Sequence, residues 1–237
     1  MRGRAPLVLI AAAAFLASWG MARPLPRPVR RAAPAWVTLL GPLRPLVADL
    51  LRLRFEAMRG ADQVLGQLDD AWRVLALAPE SVDDFVHFAW YFVFDAVRMA
   101  GSAAERDECV RAGFELLKAG RALHPRSARL LYAEALALDQ FARHAPERIA
   151  ALALPPEESP RGRALERFEE ALALAAPTDE DSTFLRLALA LCTEGILLDP
   201  ATPARLRERA RAVARRLLRE GGLTQESRAA LSSAVER

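Results

Sequence analysis

From Pro45 onward the apolar residues recur at three- and four-residue spacing, and prolines, glycines and small hydroxyl residues break that rhythm at the end of each run. The pattern predicts helices. A first runs from about Pro45 to Met58, with a turn at Gly60 to Asp62, and a second reaches Ala78 and stops at Pro79. Ser81, with Asp84 three places on, is the expected N-cap of a helix to Ala100. Gly101 with Ser102-Ala-Ala-Glu105 has the form of a capping box and opens a helix that ends before Pro125. Ser127 begins another, to about Arg143, and a longer loop with Pro146, Pro155 and Pro156 leads to Ser159-Pro160. There the serine caps and the proline takes the first helical position of a helix to about Ala176. Thr178 is the expected cap of a helix to Leu198. Thr202-Pro203 repeats the cap-plus-proline start for an arginine-rich helix ending at Gly221, and Thr224 opens a short terminal helix. The expected fold is all-α, with four helix pairs and a lone last helix.

The first helices of successive pairs share a spacing of large and small residues. It is Phe85-x-x-Phe88-Ala89-x-x-Phe92, then Leu131-x-x-Glu134-Ala135-x-x-Leu138, then Phe184-x-x-Leu187-Ala188-x-x-Leu191. Second helices carry small, large and small residues at Gly113, Leu117 and Gly120, and at Ala164, Phe168 and Ala171, and Pro125 and Pro177 follow them. Small residues let antiparallel helices approach closely while large ones fill the space between hairpins. On these residues the chain resembles the tetratricopeptide repeat family, whose pattern is Trp-x-x-Leu-Gly-x-x-Tyr, then Ala-x-x-x-Phe, then Pro. The resemblance covers about residues 43 to 220 and is strongest from Val82 to Pro200. The frames recur 46 and 53 residues apart, beyond the family's spacing of about 34, because the helices are longer and a loop is inserted near residues 144 to 160.

The resemblance implies an antiparallel helix-hairpin solenoid over residues 32–237, with Ala135, Ala164, Ala171 and Ala188 at close helix contacts. It also implies a concave groove on the first helices. Carried over by position, the groove shows Val86, Trp90 and Val93, then Tyr132, Leu136 and Asp139, then Leu185 and Leu189. Such a mostly apolar surface with aromatic anchors suits a helical or extended apolar segment of a protein or peptide partner. The run Phe85 to Phe94 holds six aromatic residues and is apolar around most of its circumference, so Phe85, Phe88 and Phe92 are expected in the core. For Trp90, core and groove both stay open.

Composition adds a membrane segment. Arg2 and Arg4 precede an uncharged run from Ala5 to Ala22, and prolines and arginines fill residues 23 to 34. The run is expected to be an uncleaved N-terminal anchor followed by a stiff Pro/Arg linker, residues 1–31 forming a unit separate from the body. Cleavage after Ala22 is the alternative, and the side of the membrane is open. Of the 33 basic residues six lie before position 32, so the body carries 27 against 30 acidic groups and no field that would draw in nucleic acid.

Chemistry-bearing clusters are thin. Asp83 and His87 are four apart on one helix, but no third ligand completes a metal site, and an acidic first turn complements the helix dipole. Cys109 and Cys192 have no zinc spacing, and no nucleophile motif accompanies His124 or His144. No catalytic residue, cofactor or metal is expected, and the function expected is a membrane-tethered protein-binding scaffold. The competing expectation is a structural membrane-surface protein using the helix of Arg205, Arg207, Arg209, Arg211, Arg215, Arg216 and Arg219.

Overall fold

A computed structural model describes residues 35–58, 64–145, 159–175 and 180–236, with positions 147, 148, 152 and 154 between them. The expected anchor, the turn at Gly60 to Asp62 and the Thr178 cap lie outside the described residues. Every regular element among the described residues is helical. These are α1 (Ala35–Leu40), a 3-10 turn (Gly41–Leu43), α2 (Arg44–Ala57), α3 (Val64–Leu77), α4 (Val82–Trp90), α5 (Ala103–Leu123) and α6 (Ala128–His144). They continue with α7 (Pro160–Leu174), α8 (Glu180–Leu198), α9 (Ala204–Glu220) and α10 (Gln225–Glu236). No helix among the described residues is long and apolar enough to cross a membrane.

The local signals explain most helix starts. Ser81, Ser102, Ser127 and Ser159 accept from the backbone N–H groups of Asp84, Glu105, Leu130 and Gly162, and Thr224 accepts from Ser227. Glu105 reaches back beyond the cap and accepts from Gly101 N–H at 2.8 Å. The exception is Thr202, which is buried and makes no cap. Pro203 itself occupies the N-cap position of α9, so no side-chain acceptor stands there.

Two further departures concern helix continuity. Gly41 takes φ +46°, a left-handed conformation that glycine adopts without strain, and a short helix and 3-10 turn precede Pro45, the expected start of the first helix. The expected single helix from Ser81 to Ala100 runs as α4 into a π-wound stretch, Tyr91–Ala96, before a last α turn, Val97–Met99. An i→i+5 turn admits an extra residue and shifts every later side chain around the axis.

The chain divides into two compact units at Asp84/Phe85, in the first turn of α4. In the first, α2 packs on α3, and Val47, Ala48, Leu51 and Phe55 of α2 are buried, as are Leu68, Ala71, Val74 and Leu75 of α3. The buried Asp70 carboxylate pairs with Arg73 at 3.1 Å and Arg54 at 3.2 Å.

In the second unit helices pack on their sequence neighbours. The π stretch packs on α5, α5 on α6, α6 on α7, α7 on α8, α8 on α9 and α9 on α10, while α8 also meets α6 and α10. The approach of α4 to α5 depends on glycine: a Cβ at Gly113 would stand 2.5 Å from Val93 Cγ2 and 2.8 Å from the Ala89 carbonyl oxygen. At Gly120 it would meet Phe85 at 2.9 Å and Leu130 at 3.0 Å. Phe85, Phe88, Phe92, Leu117, Ala135, Ala164, Phe168 and Ala171 are buried, whereas Ala188 is partly exposed against the same core.

Candidate functional site

The amphipathic patterns of α4, α6 and α8 leave an apolar cleft of about 380 Å³ among them. Val86 and Trp90 come from α4, Ala128, Arg129 and Tyr132 from the first turns of α6, and Phe184 and Leu185 from the start of α8. Phe184 is 65% exposed. Trp90 is half-buried, stands edge-on to Phe94 at 6.3 Å between ring centroids, and its indole N–H has no acceptor among the described residues. The Tyr132 ring lies 5.9 Å from that of core Phe168, and burial raises its phenol pKa.

Four of the eight groove positions read from the sequence line this cleft: Val86, Trp90, Tyr132 and Leu185. Val93, Leu136, Asp139 and Leu189 are placed elsewhere. Val93 lies inside the π stretch and is buried against Gly113. Leu136 is half-buried against the core, and Leu189 belongs to it. Asp139 is buried and pairs with Arg143 at 2.9 Å, and the Arg143 guanidinium donates to the Leu191 carbonyl of α8 at 2.6 Å. Arg143, which Asp139 pairs with, thus ties α6 to α8, and Asp139 does not line the cleft.

Phe184, Ala128 and Arg129 line the cleft but are absent from the groove positions read from the sequence. On α8 the frame Phe184, Leu187, Ala188, Leu191 is displaced by one residue: Phe184 and Leu191 are exposed, while Leu185, Leu189, Cys192 and Ile196 are buried. The signal for this alternative was present, since those four follow the same helical spacing, but α8 is apolar on most sides and either stripe reads as a core face.

The chain matches no family model, no curated protein and no solved structure.

The α9 arginines divide into two sets. Arg209 and Arg216 each donate to Glu169 at 3.0 Å, and Arg207 donates to the carbonyls of Pro200 and Thr202 beyond the end of α8. Arg205, Arg211, Arg215 and Arg219 form no ion pair among the described residues. The apolar side of the helix, Ala210, Val213, Ala214 and Leu217, is buried. Asp95 is exposed, and His87 is exposed beside Phe88. Among the described residues no group of three or more His, Cys, Asp or Glu gathers as a metal site. Both cysteines are free and buried, and burial pushes the Cys109 thiol up to about 11 and Cys192 well above its usual value.

Proposed function

We propose that the chain is a protein-interaction scaffold of tetratricopeptide-like helical hairpins, held at a membrane by its N-terminal segment, and not an enzyme. Its partner is an apolar helical or extended segment of another protein, and the anchor point is the cleft of α4, α6 and α8. One observation carries this reading: the exposed Phe184 ring beside Val86, Trp90, Tyr132 and Leu185. Aromatic side chains supply large contact area with few rotatable bonds, and a water-facing phenylalanine over an apolar cleft gains when a partner covers it. A cleft of about 380 Å³ fits one or two anchor side chains of such a segment.

The membrane-surface reading has weaker support. Insertion of an amphipathic helix needs a free apolar face, and that of α9 is spent on its own unit, which leaves only arginine heads for lipid phosphates.

Selection of a random peptide library on the full-length chain, with counter-selection on Phe184→Asp, tests the proposal. The expected peptides carry large apolar residues three or four apart, compete with one another, and lose about tenfold or more in affinity for Phe184→Asp. If the two proteins select the same peptides, the cleft is not the binding site.

A further inference from the structure

The exposed leucines of the first unit are not scattered. Leu39, Leu43, Leu46, Leu50 and Leu53, between 38 and 86% exposed, follow one another at spacings of four, three, four and three residues. On α2 the buried residues Val47, Ala48, Leu51 and Phe55 occupy the opposite side. At about 100° per residue the centres of the two faces lie roughly 140° apart, so α2 is apolar on both, and only one packs on α3. A four-three repeat of leucine is the seam of a two-helix coiled coil. In that register Leu46 and Leu53 take the d positions and Leu50 and Ala57 the a positions. Asp49 and Glu56 then flank the seam at g, and Arg54 flanks it at e.

We propose that this seam pairs with the same seam of a second copy of the chain, parallel and in register. Charge selects both the occupant and the direction. In a parallel pair each g residue faces the e residue five places further on in the other helix, which sets Asp49 against Arg54 twice across the two-fold axis. Both side chains reach solvent, at 66 and 51% exposure, while holding their present partners Arg52 and Asp70. An antiparallel pair sets g against g and opposes the carboxylates of Asp49 and Glu56 to their like. The seam is short. The 14 residues of α2 span about 21 Å, two heptads, and the 3-10 turn at Gly41–Leu43 ends the regular coil while Leu39 and Leu43 extend the apolar surface. So short an interface falls below the roughly 1,200 Å² of a stable complex, and the dimer forms reversibly where chains are concentrated. This inference is independent of the cleft in the second unit.

Cysteine crosslinking of the full-length chain tests it, because Cys109 and Cys192 are buried and stay out of the reaction. Leu46→Cys and Leu53→Cys are made singly, with Ala122→Cys, exposed on α5, as the control. Under mild oxidation each seam variant is expected to form a disulfide dimer with itself about tenfold faster than the control, since pairing raises the effective thiol concentration. Adding Asp49→Lys, which meets Arg54 across the pair, should slow both. Seam variants that crosslink no faster than the control overturn the proposal. Crosslinking only in a mixture of the two variants overturns the parallel direction, and covalent capture of a different protein in cells in place of the homodimer overturns the occupant. Sedimentation of the unsubstituted chain in detergent is the second measurement: the monomer mass alone at every concentration also refutes the pairing.

Discussion

Glu134 lies on α6 with 6% of its surface exposed and three guanidiniums around one carboxylate: Arg121, Arg163 at 3.6 Å and Arg167 at 3.5 Å. Each arginine keeps some contact with water, so the carboxylate stabilises less than a sealed pair but is far from negligible. Glu134→Ala is expected to cost about 2–3 kcal/mol in urea unfolding, because it leaves like charges close together in a half-buried site. At Gly113 the limit is space: with 2.5 Å to Val93 Cγ2, Gly113→Ala should destabilise by about 1–3 kcal/mol despite alanine's better helix propensity. Gly101, whose added Cβ would meet only the end of Glu105 at 3.6 Å, should accept alanine with little change. The thiols make a third residue-scale case. Burial, ahead of Glu105 and Glu108, raises Cys109, so the fold favours the neutral thiol. Its contribution to stability is therefore intact below the ordinary value of 9.0 and is lost as pH rises toward about 11. At about pH 8 both cysteines should resist alkylation in the native chain and react once it is unfolded, and rapid native labelling would contradict their burial.

Helices show more clearly why some sites were legible and others were not. N-caps depend on three or four consecutive residues, so Ser81, Ser102, Ser127, Ser159 and Thr224 could be read directly. The Gly113, Leu117, Gly120 spacing was likewise legible, since small residues on a helix otherwise rich in larger ones mark a close approach. The orientation of α8 was not. It meets α6, α7, α9 and α10, and a helix with that many neighbours carries more than one apolar stripe. Paired substitutions separate the two frames: Leu189→Ala should cost about 2–5 kcal/mol and Phe184→Ala less than about 0.5. The reverse order would restore the frame on Phe184. The π stretch in the helix after Trp90 had the same effect by another route, because the extension from Val86 and Trp90 to Val93 assumed constant winding.

For the whole molecule, the uncharged run from Ala5 to Ala22 and the leucine seam on α2 both bear on association and lie near the N-terminus. Full-length protein is expected in the membrane fraction, resistant to high salt and released by detergent, whereas a chain lacking residues 1 to 31 should be soluble and helical. Recovery of the intact chain without detergent would end the anchor reading. The sequence by itself determined what depends on neighbours along the chain: an all-helical fold, most helix starts and the apolar faces available to each helix. It also brought Val86, Trp90, Tyr132 and Leu185 into one list from helices far apart in sequence. Only the tertiary structure decided which apolar face each helix spends on its own core. That choice takes Leu189 and Asp139 inside, leaves Phe184 at the cleft, and leaves Leu46, Leu50 and Leu53 facing water. Burial belongs to pairs of surfaces, and periodicity along one helix cannot name the helix that will cover it.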